Sequence, residues 1–257
     1  MTLLREVIQA TRDAGRAIQR ARGSAVERKA DASPVTVADR EADAILRTAL
    51  LALDHAAWLS EETADSADRL GATRLWIVDP LDGTKEFIAG VPEYAVAIAL
   101  VDHGAPILGV VHNPVTGDTF WAEKGGGAFR NGEPIRVAEG STVLASRSEL
   151  KRGEFTGFDA WQVKPVGSIQ YKLALVAAGD GSVTWSRGPK HEWDVCAGAL
   201  IVEEAGGRAT ELAGGPLEYN RARPKVRGIL AGAPETHRRA LEALRKIGAS
   251  DRMAELD

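Results

Sequence analysis

Asp79 and Asp82 stand three residues apart in Trp76-Ile77-Val78-Asp79-Pro80-Leu81-Asp82-Gly83-Thr84-Lys85-Glu86-Phe87. The apolar residues ahead of Asp79 read as the end of a strand, and Pro80, with φ held at roughly −65°, stiffens the exit from it. On a turn so constrained both carboxylates can point at one spot. Two anions that close repel unless a cation lies between them, and hard oxygen donors suit Mg²⁺ or Mn²⁺. Gly83 lets a ligand approach the backbone. Thr84-Lys85-Glu86-Phe87 reads as the start of a short helix whose free N–H groups face an anion such as phosphate. The same residues would also make an ordinary Asx turn before a helix, and that reading stays open at this point.

The elements that would hold this stretch read as follows. Leu3, Leu4, Val7, Ile8, Ala14, Ala17 and Ile18 recur at helical spacing. Gly23 to Val37 reads as a polar loop. Ala42, Ile45, Leu46, Ala49, Leu50 and Leu53 mark a second amphipathic helix with Asp39 as its N-cap. Trp58-Leu59-Ser60-Glu61-Glu62 is a short apolar segment ending in paired carboxylates, which a solvated surface would also explain. Past the turn, Tyr94–Val101, Pro106–His112, Thr119–Ala122 and Ile135–Val137 predict an antiparallel meander, with Gly125-Gly126-Gly127 as a loop. Beyond about residue 140 short strands alternate with helices, one capped by Ser168 and one headed by Asp194. The chain therefore reads as α+β in two lobes, residues 1–140 (helix pair plus meander) and 141–257 (alternating α/β).

Composition narrows the function. The net charge is −4 over 257 residues, which disfavours bulk binding to a nucleic-acid polymer or a membrane. No apolar run reaches the ~18 residues of a spanning helix. The single Cys196 excludes an internal disulfide and fits a reducing, cytoplasmic setting. His55, His103, His112, His191 and His237 are scattered without metal-ligand spacing and read as surface or packing residues.

Four pieces lie in a fixed order: Pro34-Val35-Thr36-Val37-Ala38-Asp39, Ser60-Glu61-Glu62, Asp79-Pro80-Leu81-Asp82-Gly83-Thr84 and Trp193-Asp194. Together they resemble the inositol monophosphatase superfamily of magnesium-dependent phosphomonoesterases, over nearly the whole chain. The resemblance implies a layered αβαβα sandwich. Gly-Thr-Lys-Glu-Phe at 83–87 is most similar to the 3′(2′),5′-bisphosphate nucleotidase branch, since inositol monophosphatases more often carry Thr-Asn or Ala-Asn in place of Lys85-Glu86. The resemblance further implies that Glu61, Asp79 and the Leu81 carbonyl hold one Mg²⁺. Asp79, Asp82 and Asp194 would hold a second, and Lys29 and Asp39 belong to a closing segment that helps with a third. Thr84 and Glu61 would orient the attacking water, while the Gly83 and Thr84 amides receive phosphate oxygens. Ser168, Lys172 and Arg187 fall near positions that contact the nucleotide's other phosphate and base.

The activity so implied is Mg²⁺-dependent removal of the 3′-phosphate of adenosine 3′,5′-bisphosphate, with two or three Mg²⁺ ions (or Mn²⁺) and a metal-activated water. Such charge neutralisation is what slow monoester hydrolysis lacks in water. The alternatives are an inositol monophosphatase or other sugar-phosphate phosphatase, and a non-catalytic phosphometabolite-binding protein. A small phosphorylated metabolite is the expected partner, and a homodimer is compatible with the chain.

Overall fold

The computed structural model describes residues 2–23, 26–28 and 34–247. In chain order the elements are α1 (Leu3–Arg20), β1 (Val26–Arg28), β2 (Pro34–Thr36), α2 (Val37–Leu53), β3 (Ala57–Ser60), β4 (Arg74–Asp82), α3 (Thr84–Ile88), β5 (Ala95–Asp102), β6 (Ala105–His112), β7 (Thr119–Glu123), β8 (Gly127–Arg130) and β9 (Glu133–Pro134). The second half supplies β10 (Thr142–Ala145), α4 (Arg147–Lys151), β11 (Gln162–Pro165), α5 (Ile169–Ala177), β12 (Val183–Ser186), β13 (Lys190–His191), α6 (Cys196–Glu204), β14 (Arg208–Thr210), β15 (Lys225–Val226), β16 (Ile229–Gly232) and α7 (Pro234–Lys246).

Period-2 alternation sorts the side chains of β4 and β5 onto two buried faces. Trp76, Val78, Val96, Ile98 and Leu100 pack with Val7, Ile18, Leu46 and Leu50 of α1 and α2. Leu75, Ile77, Ala95, Ala97 and Ala99 point the other way, onto Leu173, Ala197 and Ile201 of α5 and α6. Helices on both faces explain why β5 carries an unbroken apolar run. The sheet is seven-stranded, ordered β3-β4-β5-β6-β7-β8-β9, antiparallel except for β3 beside β4.

The far side of α5 and α6 meets Leu144, Ile229 and Ala231 of a five-stranded mixed sheet, β11-β10-β12-β16-β14. That sheet's outer face, with Val183, Trp185 and Leu230, is closed by Ala240 and Leu244 of α7 and by Phe158 and Trp161. Helices, sheet, helices, sheet, helix: the architecture is the αβαβα sandwich.

Several local expectations are corrected. The meander's fourth strand is Gly127–Arg130, so the glycine triplet runs straight into a strand and Ile135–Val137 lies outside the sheet. The loop read over Gly23–Val37 contains the β1–β2 pair. α2 begins two residues before Asp39, because Thr36 is the N-cap, and Asp39 closes the capping box as its third helical residue. Among the described residues no helix is long and apolar enough to cross a membrane.

Candidate active site

β4 does not stop at Val78. It continues to Asp82 with an irregularity: Asp79 faces Ala97 and Asp82 faces Ala95 across the ladder. Pro80 and Leu81 thus oppose the single residue Val96, a bulge, and Pro80 has no N–H to lose from the ladder. Residues three apart on a regular strand face opposite sides. The extra residue cancels that, so both carboxylates share the face of Ala95 and Ala97, toward α5 and α6. Gly83 then turns the chain at φ 99°, with its Cα so near Tyr94 that a Cβ would stand 3.1 Å from that residue's Cβ. A side chain here would be strained twice over.

The parallel β3 delivers Glu61 beside this bulge. Ser60 pairs with Val78, and the Glu61 amide donates to the Val78 carbonyl. Asp43 on α2, 8% exposed, secures the loop by accepting from Ser60 Oγ at 2.5 Å and Thr63 Oγ1 at 2.9 Å. Asp39 ties α2 to the Asp79–Thr84 turn. Its Oδ2 accepts from the Thr36 amide and hydroxyl, each at 2.7 Å, while Oδ1 accepts from Thr84 Oγ1 at 3.1 Å. The Thr84 proton is shared with the Leu81 carbonyl at 3.2 Å.

The start of α5 holds Asp82. Ser168 Oγ and the Gln170 amide both donate to Asp82 Oδ2 at 2.5 Å, and Ser168 Oγ caps the helix by accepting from the Tyr171 amide. Ser168 does this at φ 58°, a left-handed conformation costly for a non-glycine residue. The fully buried Gln170 also reaches forward: its Nε2 donates to the Trp193 carbonyl and its Oε1 accepts from the Gly198 amide, both at 2.7 Å. One side chain thereby links the residue before Asp194 to the helix after it. Asp194 itself is not the cap of α6; it ends a 3₁₀ turn, Glu192–Asp194, and accepts from the His191 amide at 2.7 Å.

Asp79, Asp82 and Asp194 each feel the charge of Glu61. Burial, then the charges of Glu61, Asp82 and Asp194, push the Asp79 carboxyl well above its usual range. Burial raises Asp82 to about 6 despite the Ser168 and Gln170 hydrogen bonds, and it raises Asp194 to about 7 against the pull of Lys190. Among the described residues no Lys or Arg forms an ion pair with Asp79, Asp82 or Asp194, and no three His, Cys, Asp or Glu side chains are arranged to hold an ion as they stand. An all-oxygen cluster with Asp79 buried and Glu61, Asp82 and Asp194 half-buried, in which burial and neighbouring charge disfavour ionisation of the three aspartates, is what a hard divalent cation would relieve, so the donor set fits.

The remaining predicted residues are placed as follows. Lys172 does not join the cluster. It is 2% exposed, and its Nζ lies 3.2 Å from Glu149 Oε2 in a buried pocket shared with Ser186. Arg187 lies at the end of β12, half-buried, its Nε without a hydrogen-bond partner. Lys29 lies outside the described residues. Sequence reasoning missed Asp43 and Gln170. The available signals were a carboxylate one helical turn after Asp39 and a lone amide at the start of a helix that is apolar beyond Lys172.

A family model described as the inositol monophosphatase family matches residues 2–249. The chain belongs to that family. Among its relatives is the inositol-1-monophosphatase of Rhizobium meliloti (strain 1021), 36% identical over 237 residues, covering 84% of this chain and 88% of the relative. The 3′(2′),5′-bisphosphate nucleotidase CysQ of Escherichia coli (strain K12) is 38% identical over 234 residues, covering 84% and 94%. Among solved structures, the extragenic suppressor protein suhB of Bartonella henselae superposes with a TM-score of 0.83 at 31% identity, covering 96% of this chain and 99% of that one. As a family member the protein is a metal-dependent phosphatase.

Proposed function

We propose that the protein removes the 3′-phosphate of a nucleoside 3′,5′-bisphosphate such as adenosine 3′,5′-bisphosphate, leaving AMP and phosphate. The observation that carries the phosphatase part is the bulge that turns Asp79 and Asp82 to one face beside Glu61 and Asp194. Glu61, Asp79 and the Leu81 carbonyl would hold one Mg²⁺, and Asp79, Asp82 and Asp194 a second, with Asp79 between them. Asp39 is committed to Thr36 and Thr84, so its part is to orient the Thr84 hydroxyl. Bound ions of this kind neutralise phosphate charge, lower the pKa of water and stabilise the leaving oxygen.

The chain's own residues do the rest. Glu61 and Thr84 orient the water, and the Gly83 and Thr84 amides at the start of α3 donate to phosphate oxygens. The water oxygen forms the new P–O bond as the ester P–O bond breaks, and the leaving 3′ oxygen takes up a proton.

For the nucleotide, support comes from the second half of the chain. Arg187 offers a guanidinium with a buried, unmatched Nε, and His191 stacks on Trp193 at 4.2 Å next to Asp194, an aromatic surface where a base could lie. Lys172, spent on Glu149, is not part of this pocket. Inositol 1-phosphate hydrolysis is the second reading, favoured by the Rhizobium relative. The test is kcat/KM for Arg187→Ala on adenosine 3′,5′-bisphosphate and on inositol 1-phosphate. Losing a charge-assisted contact of about 1.5–3 kcal/mol lowers the first roughly tenfold to a hundredfold and leaves the second near wild type. Equal losses refute the nucleotide pocket; a wild-type preference for inositol 1-phosphate refutes the substrate. The same reading places the enzyme in the cytoplasm, acting on a small metabolite.

A further inference from the structure

A cavity of about 250 Å³, open to solvent and flanked by the exposed Arg16 and Arg20, lies against α1, lined also by Gly15, Gln19, His112 and Pro114. It is on the α1–α2 face of the seven-stranded sheet, whereas the carboxylates occupy the α5–α6 face. Gly15 is what lets α1 settle here: a Cβ would stand 2.9 Å from the His112 ring and 3.0 Å from Pro114.

His112 is 7% exposed. Its Nδ1 lies 3.1 Å from the Asp118 carbonyl and 3.0 Å from Thr119 Oγ1. A carbonyl only accepts, so Nδ1 carries the proton and Nε2 keeps a lone pair. That lone pair has no partner among the described residues. The groups facing the ring are Arg12, bound to Thr119, Arg16, and Asp118, which Arg130 holds at 2.8 Å. Burial keeps the imidazole neutral, with its pKa lowered to about 4. Arg16 shares its charge with Asp13, and Arg20 has no ion-pair partner among the described residues. The cavity thus offers cationic donors and one fixed acceptor. It lies along the side of the last turns of α1, where Arg20, and Arg16 in the share that Asp13 leaves it, offset the helix's fractional negative end.

We propose that this cavity is a second anion site, distinct from the catalytic one, built for inorganic phosphate. Arg16 and Arg20 take the charged oxygens, and His112 Nε2 accepts the O–H that hydrogen phosphate retains at neutral pH. At ~30 Å³ per water, the volume leaves room for phosphate with a few waters. The site also has a route to the chemistry. Gln19 Nε2 donates to Tyr94 Oη at 2.8 Å, and Tyr94 is the residue that walls in Gly83 of the catalytic turn. Phosphate, the product of the proposed reaction, would act there as a regulator; only that role rests on the phosphatase reading.

Equilibrium dialysis of the Mg²⁺-loaded enzyme against labelled phosphate tests it. Wild type should bind two phosphates per chain, and Arg16→Gln/Arg20→Gln one, with its turnover of saturating substrate unchanged. One phosphate in both proteins overturns the cavity site. One in wild type and none in the double variant upholds the cavity and refutes phosphate binding at the carboxylates instead. Sulfate, which lacks the O–H at neutral pH, should bind the cavity at least tenfold more weakly, because an acceptor left unmatched is costly. Equal affinity for sulfate overturns the role given to His112.

Discussion

Replacing Lys172 with Met removes the cation from a buried ion pair and leaves Glu149, 4% exposed along its side chain, charged among hydroxyls. The size of that pairing is visible in Glu149 itself. Burial pushes its pKa up, yet Lys172 and the Ser146 and Ser186 hydroxyls outweigh burial and bring it from 4.5 to about 2. A shift of that size corresponds to about 3 kcal/mol favouring the ionised, folded form. The folded pKa is the lower one, so this contribution is complete above about pH 4.5 and is lost as pH falls toward 2. Stranding one member of such a pair costs about 3–5 kcal/mol. In a chain of this length that lowers Tm by roughly 6–20 °C. The assay is thermal unfolding at pH 7 together with kcat/KM at 25 °C, where the folded enzyme should work nearly as well as wild type. Lys172→Met/Glu149→Leu should recover most of the loss, since an apolar pair needs no counter-charge. An unchanged Tm, or a tenfold fall in kcat/KM confined to the bisphosphate, would show that the ammonium serves the ligand and that the reasoning is wrong.

Asp79→Asn should abolish turnover in saturating Mg²⁺ while leaving thermal unfolding at or above the wild-type Tm, because a repelling charge is removed from the cluster; wild-type activity refutes the role. Glu61→Gln should lower kcat by orders of magnitude and Glu62→Gln far less, and steady-state kinetics showing equal losses would contradict the register at Ser60–Val78. Gln170→Met leaves the Trp193 carbonyl and Gly198 amide unmatched. It should cost about 1–3 kcal/mol each for buried groups so orphaned and weaken Mn²⁺ binding in calorimetry, whereas unchanged Mn²⁺ affinity would confine Gln170 to packing.

Most elements near the catalytic turn were legible because their signals are local. The apolar periodicity of α1 and α2, the run of β5, and Asp-Pro-Leu-Asp-Gly-Thr each announce themselves within a few residues. A carboxylate near a helix start looks like a cap, and only Thr36 at the N-cap shows Asp39 closing the box as the third helical residue. β8 was hidden because glycines weaken strand propensity, and its pairing with β7 decides the matter. The pairing of Lys172 is hidden for a different reason. Nothing in its neighbours along the chain points to Glu149, whose approach depends on α4 meeting α5. The bulge at Pro80–Leu81 is likewise a property of pairing, since Val96 has to stand opposite both residues.

The helical layer shared by both sheets has a consequence for synthesis. A ribosome finishes the seven-stranded sheet at Pro134, while α5 and α6, which roof its alanine-lined face, end only at Glu204. Until then the nascent chain presents a broad apolar surface, with Asp79 and Asp82 on it beside Glu61. Chains stalled in that interval are the ones that would associate with one another or with holdase chaperones. The carboxylates gain their last neighbour, Asp194, only when that roof arrives, so closure of the core and assembly of the charge cluster are one event in the life of the polypeptide.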